Sequence, residues 1–406
     1  VTDRVPGEFR YWANLDRPAV RAALRACRAV GFEPTLPDDV VRAFASMYYD
    51  ADPLAEAFVE EVRPGRARQL LDQALASGVA SIPDAPATLV ALFADVDRDP
   101  VWLDRAAVAR GARAFRRFGP ALFRFAGAVT LASYAECSVA KPLALSGAYA
   151  GASTRQRFLE TVAFWIAVSE PGALAHGAAG RASALRVRLM HVMVRKRLYG
   201  HPEWNTAAWG APISQADALL TLMGGSVAPG LLMHAMGFLT SKADIEALLH
   251  FWRYVGHLMG VQPRWYPATV ADGVRLLLLA MIKGAHRSGD DGKALCHSYA
   301  EAFRPDPELR GLARVRAAIT DRVHRGYTQF FLPPSVYRAN ALPSAGPWAL
   351  VPLLQAPAIL GAEALRRTVG LDDAADGYAR WRRDRWLAHH AAGRAAQFRP
   401  PPTLTR

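Results

Sequence analysis

From Asp50 onward almost every stretch of this chain carries apolar residues at helical spacing and then stops on Gly, Pro or Asp. The segments DPLAEAFVEEV, ARQLLDQALASG and ATLVALFADV open this region. Side chains three and four apart share one helix face, so each segment has a face to bury. Alanine, leucine and arginine dominate and β-branched runs are lacking, which favours helix over strand. The reading predicts helices over 104–118, 120–136, 154–168, 182–199, 217–237 and 242–260, a helix end and Gly-rich loop over 141–154, and further helices between 270 and 391. The expected fold class is all-α: a single multi-helix domain with a globin-like core and additional N- and C-terminal helices. Residues 1–44 read as an N-terminal extension, 45–392 as the domain, and 393–406, with three consecutive prolines, as a flexible tail.

Charge narrows the partners. The chain carries a formal net charge of +13, with 51% hydrophobic and 21% charged residues, the composition of a protein with a sizeable core. Its basic residues are spread out, and the densest group, RWRRDR at 380–385, fits a solvated helix face. Nucleic acid is therefore not expected as a partner; attraction to an anionic membrane surface fits the charge better. Cys27, Cys137 and Cys296 are far apart and form no CxxC, so each reads as a small buried residue in a reducing compartment.

Two windows lack Asp, Glu, Lys and Arg. The first, Ala218 to Thr240, is interrupted by Gly224-Gly225, Pro229-Gly230 and His234, and reads as two buried helical pieces around a turn. The second, Ser344 to Ala362, holds Pro347, Pro352 and Pro357 and suits a membrane-contacting surface better than a span. The first ten residues have no apolar core of a signal peptide, and the expectation is a cytoplasmic protein with peripheral membrane contact.

The chemistry concentrates in ALRVRLMHVMVRKRLYG. Val187, His191, Val194 and Leu198 recur at spacings of four, three and four, which sets His191 inside an apolar stripe. An imidazole there must find a partner or stay neutral. On spacing alone a satisfied core histidine is the commoner explanation and a metal ligand the sharper one. Arg188 and Arg195, at i−3 and i+4, border the same face. An imidazole between two guanidinium groups suits a heme, whose iron takes the nitrogen and whose propionates take the cations. A second helix, TRQRFLETVAFWIAV, places Arg157, Thr161, Phe164 and Val168 on one face with Glu160 adjacent, and alone this is an ordinary amphipathic pattern. WGAPISQAD (209–217) reads as a capped helix start, and HFWRYVGHLMGV (250–261) spaces Trp252, Gly256 and Gly260 for close helix packing.

Together these segments resemble the family of MpaB oxygenases and latex clearing proteins. The resemblance rests on Arg157 to Thr161, VRLMHVMVR from Val187 to Arg195, Trp204 with Gly210 to Asp217, and Trp252 to Val261, with DADPLAEAF (50–58) and DPVWLDRAAVARG (99–111) upstream. It implies heme b, with His191 as proximal iron ligand, Arg188 and Arg195 as cofactor-binding neighbours, and Arg157 and Thr161 on the distal side. The chain departs from the family where a lysine precedes the distal threonine, because Glu160 stands there. Without a gap, Lys141 occupies the position of the family's upstream glutamate, so the two charges are exchanged. Arg157, Glu160, Thr161 and Lys141 are thus the candidate catalytic residues.

The function expected is a heme-dependent oxygenase using dioxygen on an apolar, alkene-containing or isoprenoid small molecule. Alternatives are a peroxidase or peroxygenase with Glu160 as acid–base group, a heme-binding protein without turnover, and a basic helical protein that binds no heme.

Overall fold

A computed structural model describes residues 4–147 and 153–391. The described residues form α-helices, short 3₁₀ turns and connections, and no strand occurs among them. The all-α expectation holds. The expected tail lies outside the described residues.

Local chemistry sets the helix starts. Asp104 accepts from the backbone N–H groups of Ala106 and Ala107 and opens the helix Arg105–Arg117. Ser214 caps Gln215–Gly225, and Ser241 with Asp244 forms a reciprocal capping box on Lys242–Leu258. Each cap satisfies donors that a helix N-terminus leaves orphaned.

Two boundaries are sharpened. The helix end expected after 141 falls at Ser146, within the helix Cys137–Ser146, which carries Pro142 in its interior. That proline removes one intrahelical bond, and the neighbouring Ala and Leu favour helix. The helical stretch over 217–237, expected as two pieces around a turn, divides at Ser226 (φ −117°, ψ −84°) into Gln215–Gly225, Val227–Leu232 and a 3₁₀ turn Met233–Met236. The window Ala218 to Thr240 is thus folded back on itself in buried pieces, as its glycines and proline suggest.

One large apolar core runs from Phe9 and Tyr11 through Phe115 and Phe125 to Tyr327, so residues 1–44 contribute Leu24, Val41 and Phe44 to it. The helices Arg105–Arg117 and Lys242–Leu258 form its tightest pair. Gly111 makes that approach feasible, because a Cβ there would overlap the carbonyl of Ala247 and the Cβ of Phe251. A second core, with Phe123, Phe158, Tyr299, Phe303 and Trp386, joins the Glu160 helix (Ser153–Ser169) to the helices of the C-terminal third.

Candidate functional site

His191 lies on the helix Ala179–Leu198, which packs against the Glu160 helix. Val187, Val194 and Leu198 on its stripe are buried, as the spacing predicts. Burial pushes the imidazole pKa down to about 4, with the Arg195 charge acting in the same direction. The ring is neutral at physiological pH. Neither ring nitrogen hydrogen-bonds a described residue, and the side chain retains accessible surface although the protein desolvates it.

The flanking arginines turn to partners far away in sequence. Arg188 is 2% exposed and grips Asp52 with two bonds, Nε to Oδ2 at 2.7 Å and Nη2 to Oδ1 at 2.8 Å. Asp52 also caps the helix Pro53–Glu61 by accepting from the Ala55 N–H. Gly260 (φ +77°) packs against this pair, and a Cβ there would strike both Asp52 and Arg188. Arg195 donates to the carbonyls of Pro212 (2.8 Å) and Ile213 (2.7 Å) and to Glu56 Oε1 (3.0 Å). The two arginines therefore lash the His191 helix to the DADPLAEAF and WGAPISQAD segments. Bidentate, charge-assisted bonds of this kind fix orientation as well as position.

Sequence reasoning gave Asp52, Glu56 and Gln215 no role. Gln215 donates to the carbonyls of Ala51 (2.7 Å) and Gly260 (2.8 Å) and accepts from the Gln262 N–H (2.8 Å), stapling three connections beneath the His191 helix. Nearby, the buried Asp217 accepts from the hydroxyls of Ser214 (3.0 Å) and Ser138 (3.1 Å). Burial raises its pKa and the Lys283 ammonium opposes the rise. The signal available in the sequence was that polar residues cluster inside otherwise apolar helix starts at 50–56 and 214–217.

On the facing helix, Arg157, Glu160 and Thr161 come together within a turn. Glu160 is 8% exposed and accepts from Arg157 Nη1 at 3.0 Å and Gln156 Nε2 at 3.2 Å. Thr161 Oγ1 donates to the Arg157 carbonyl at 3.0 Å. Lys141 is held elsewhere: its ammonium lies 2.8 Å from both Glu203 Oε2 and Asp291 Oδ2 and makes no ion pair with Glu160. Burial works against that charge, but the bonds to Asp291 and Glu203 prevail and raise the lysine pKa.

No group of three or more His, Cys, Asp or Glu side chains placed to hold a metal ion occurs among the described residues. The donor set fits a different mode of metal binding. A single neutral imidazole without a hydrogen-bond partner among the described residues can serve an iron whose remaining protein-independent ligands come with a porphyrin.

The comparisons with known proteins agree with this architecture. Residues 112–396 match the family described as "ER-bound oxygenase mpaB/B'/Rubber oxygenase, catalytic domain". A rubber oxygenase of Streptomyces sp. (strain K30) is 29% identical over 232 residues, covering 54% of this chain. The chain spans 54% of that relative's length, about half. A structure of latex clearing protein in the closed state superimposes with a TM-score of 0.62 and 21% identity, covering 82% of this chain and 91% of that one, which is a likeness of fold. The chain belongs to the MpaB and rubber oxygenase catalytic-domain family.

Proposed function

We propose that this protein is a heme b-dependent oxygenase that uses dioxygen to oxidise or cleave a C=C bond in an apolar substrate such as an isoprenoid, with His191 as the iron ligand. The observation that carries this reading is the His191 imidazole, neutral, set on a buried apolar stripe and without a hydrogen-bond partner among the described residues. Membership of a family described by its oxygenases, and a relative named rubber oxygenase, support the reaction class.

Heme bound there would supply the redox chemistry that protein side chains lack. The chain's own residues would do the rest. Burial, with the Arg195 charge acting in the same direction, keeps the imidazole uncharged and so able to ligate, and Arg188 and Arg195 together hold its helix in place. Arg157 and Thr161 would orient a small polar reactant on the opposite side. Glu160, held by Arg157 and Gln156, is the group able to take and return a proton at Oε1 or Oε2. Lys141, bridged to Glu203 and Asp291, would act through its field rather than by contact. Residues 45–392 would form the catalytic unit and residues 1–44 an extension closing its core. Three free cysteines fit work in a reducing cytoplasm.

The absorption spectrum of protein from heme-supplied cells tests this directly. A Soret band is expected and His191→Ala should abolish it; a colourless wild-type protein overturns the proposal. Oxygen uptake on reduction, dependent on an added alkene, separates an oxygenase from a heme carrier. The Glu160 carboxylate beside Thr161 favours one second reading, a peroxygenase. Unchanged peroxide turnover in Glu160→Gln would remove it.

A further inference from the structure

Apolar side chains left in solvent are concentrated in one stretch of the chain. Of the eighteen strongly exposed large hydrophobic residues among the described residues, twelve fall between Leu312 and Trp381. The helix Val351–Val369, entered through the turn Gly346–Leu350, carries the densest stripe: Leu350 (53% exposed), Leu354 (74%) and Leu365 (55%). The first turns of the helix Gly311–Phe331 add Leu312, Val315 and Ile319 at spacings of three and four. Arg322 stacks over the Trp348 ring, which sets that entry turn beside the same helix, next to Ile319.

The Val351–Val369 helix meets the length and hydropathy of a membrane span, but its other face is fastened to the body. Gln355 accepts from the Tyr327 hydroxyl at 2.5 Å. Glu363, 5% exposed, accepts from the Leu239 N–H and pairs with Arg117 and Arg366. Crossing a bilayer would tear out these buried charges, whereas lying in the interface plane leaves them in place. This stretch of chain is basic: between Arg310 and Arg385 there are twelve arginines against six carboxylates, and although Arg383 is buried and Arg325, Arg366 and Arg380 are ion-paired, Arg310, Arg314, Arg316, Arg322 and Arg367 are exposed.

We propose that this face docks the protein flat onto an anionic lipid bilayer, with the leucine stripe among the acyl chains and the arginine rim on the headgroups. Charge selects lipid over a second copy of this chain. Two such faces meeting would bring like-charged rims together, whereas anionic headgroups neutralise them. The proposal concerns binding alone and holds whether or not heme is present.

The test is vesicle co-flotation of the full chain, using phosphatidylcholine alone and phosphatidylcholine mixed with phosphatidylserine. Binding to the mixed vesicles, weakened by salt, is expected. Leu354→Glu/Leu365→Glu, at exposed positions and with an unchanged thermal melt, should lower it about tenfold or more. Arg314→Glu/Arg316→Glu should lower it on mixed vesicles while leaving the melt unchanged. Absence of wild-type binding, equal binding to neutral vesicles, or full binding by the leucine variant overturns the proposal. So does a wild-type dimer in solution that the leucine variant dissociates.

Discussion

At the scale of single residues, the two arginines beside His191 separate what spacing can and cannot say. Their placement on the His191 face follows from helical periodicity, and that much was legible. Their partners were not, because Asp52 and Glu56 lie 136 and 139 residues upstream and no local pattern links them. A buried ion pair loses far more when one partner is removed than when both are replaced together. Arg188→Met should therefore cost about 3–5 kcal/mol in denaturant unfolding, by leaving Asp52 buried and uncompensated. Adding Asp52→Asn should recover part of that loss, since Asn can still cap the helix Pro53–Glu61. If the double variant is no more stable than the single one, Arg188 and Asp52 do not act as a coupled pair.

Elements were legible where apolar spacing and caps coincide, as in Arg105–Arg117 and Lys242–Leu258. They were less legible where one residue type carries two meanings. The stretch from 141 read as a helix end and loop, but Pro142 does not mark that end, which falls at Ser146, and Gly224-Gly225 precedes a break at Ser226 that composition alone does not place. Gly111 is a third case, a glycine inside a helix whose purpose appears only once Ala247 is seen against it. Gly111→Ala should destabilise the protein by about 1–3 kcal/mol, although alanine is the better helix former, because backbone must move to admit the methyl group. Urea unfolding measures the difference. A stabilised variant would mean that the two helices can separate freely.

Across the whole molecule, the charge balance and the basic C-terminal end were readable from composition, but the interior polar groups were not. His324 is 3% exposed, and neither ring nitrogen has a hydrogen-bond partner. Its ring stacks on Phe303 at 3.7 Å and lies 6.2 Å from that of His390, whose Nδ1 bonds the Trp386 carbonyl. Burial pushes His324 well below the ordinary histidine value of 6.5 and His390 down to about 4. Between those values the unfolded chain binds protons that the folded one refuses. Stability is therefore full above about pH 6.5 and falls as pH drops towards 4. The shift of His390 alone corresponds to about 3 kcal/mol at the acid end. His324→Phe would keep the stack on Phe303 and remove two unsatisfied nitrogens from the core. The variant should melt at or above the wild-type temperature at pH 7, and its melting temperature should fall less between pH 7 and about 4.5. An undiminished acid slope in His324→Phe/His390→Phe would assign the lability to other groups, with His191 the next buried imidazole to answer for it.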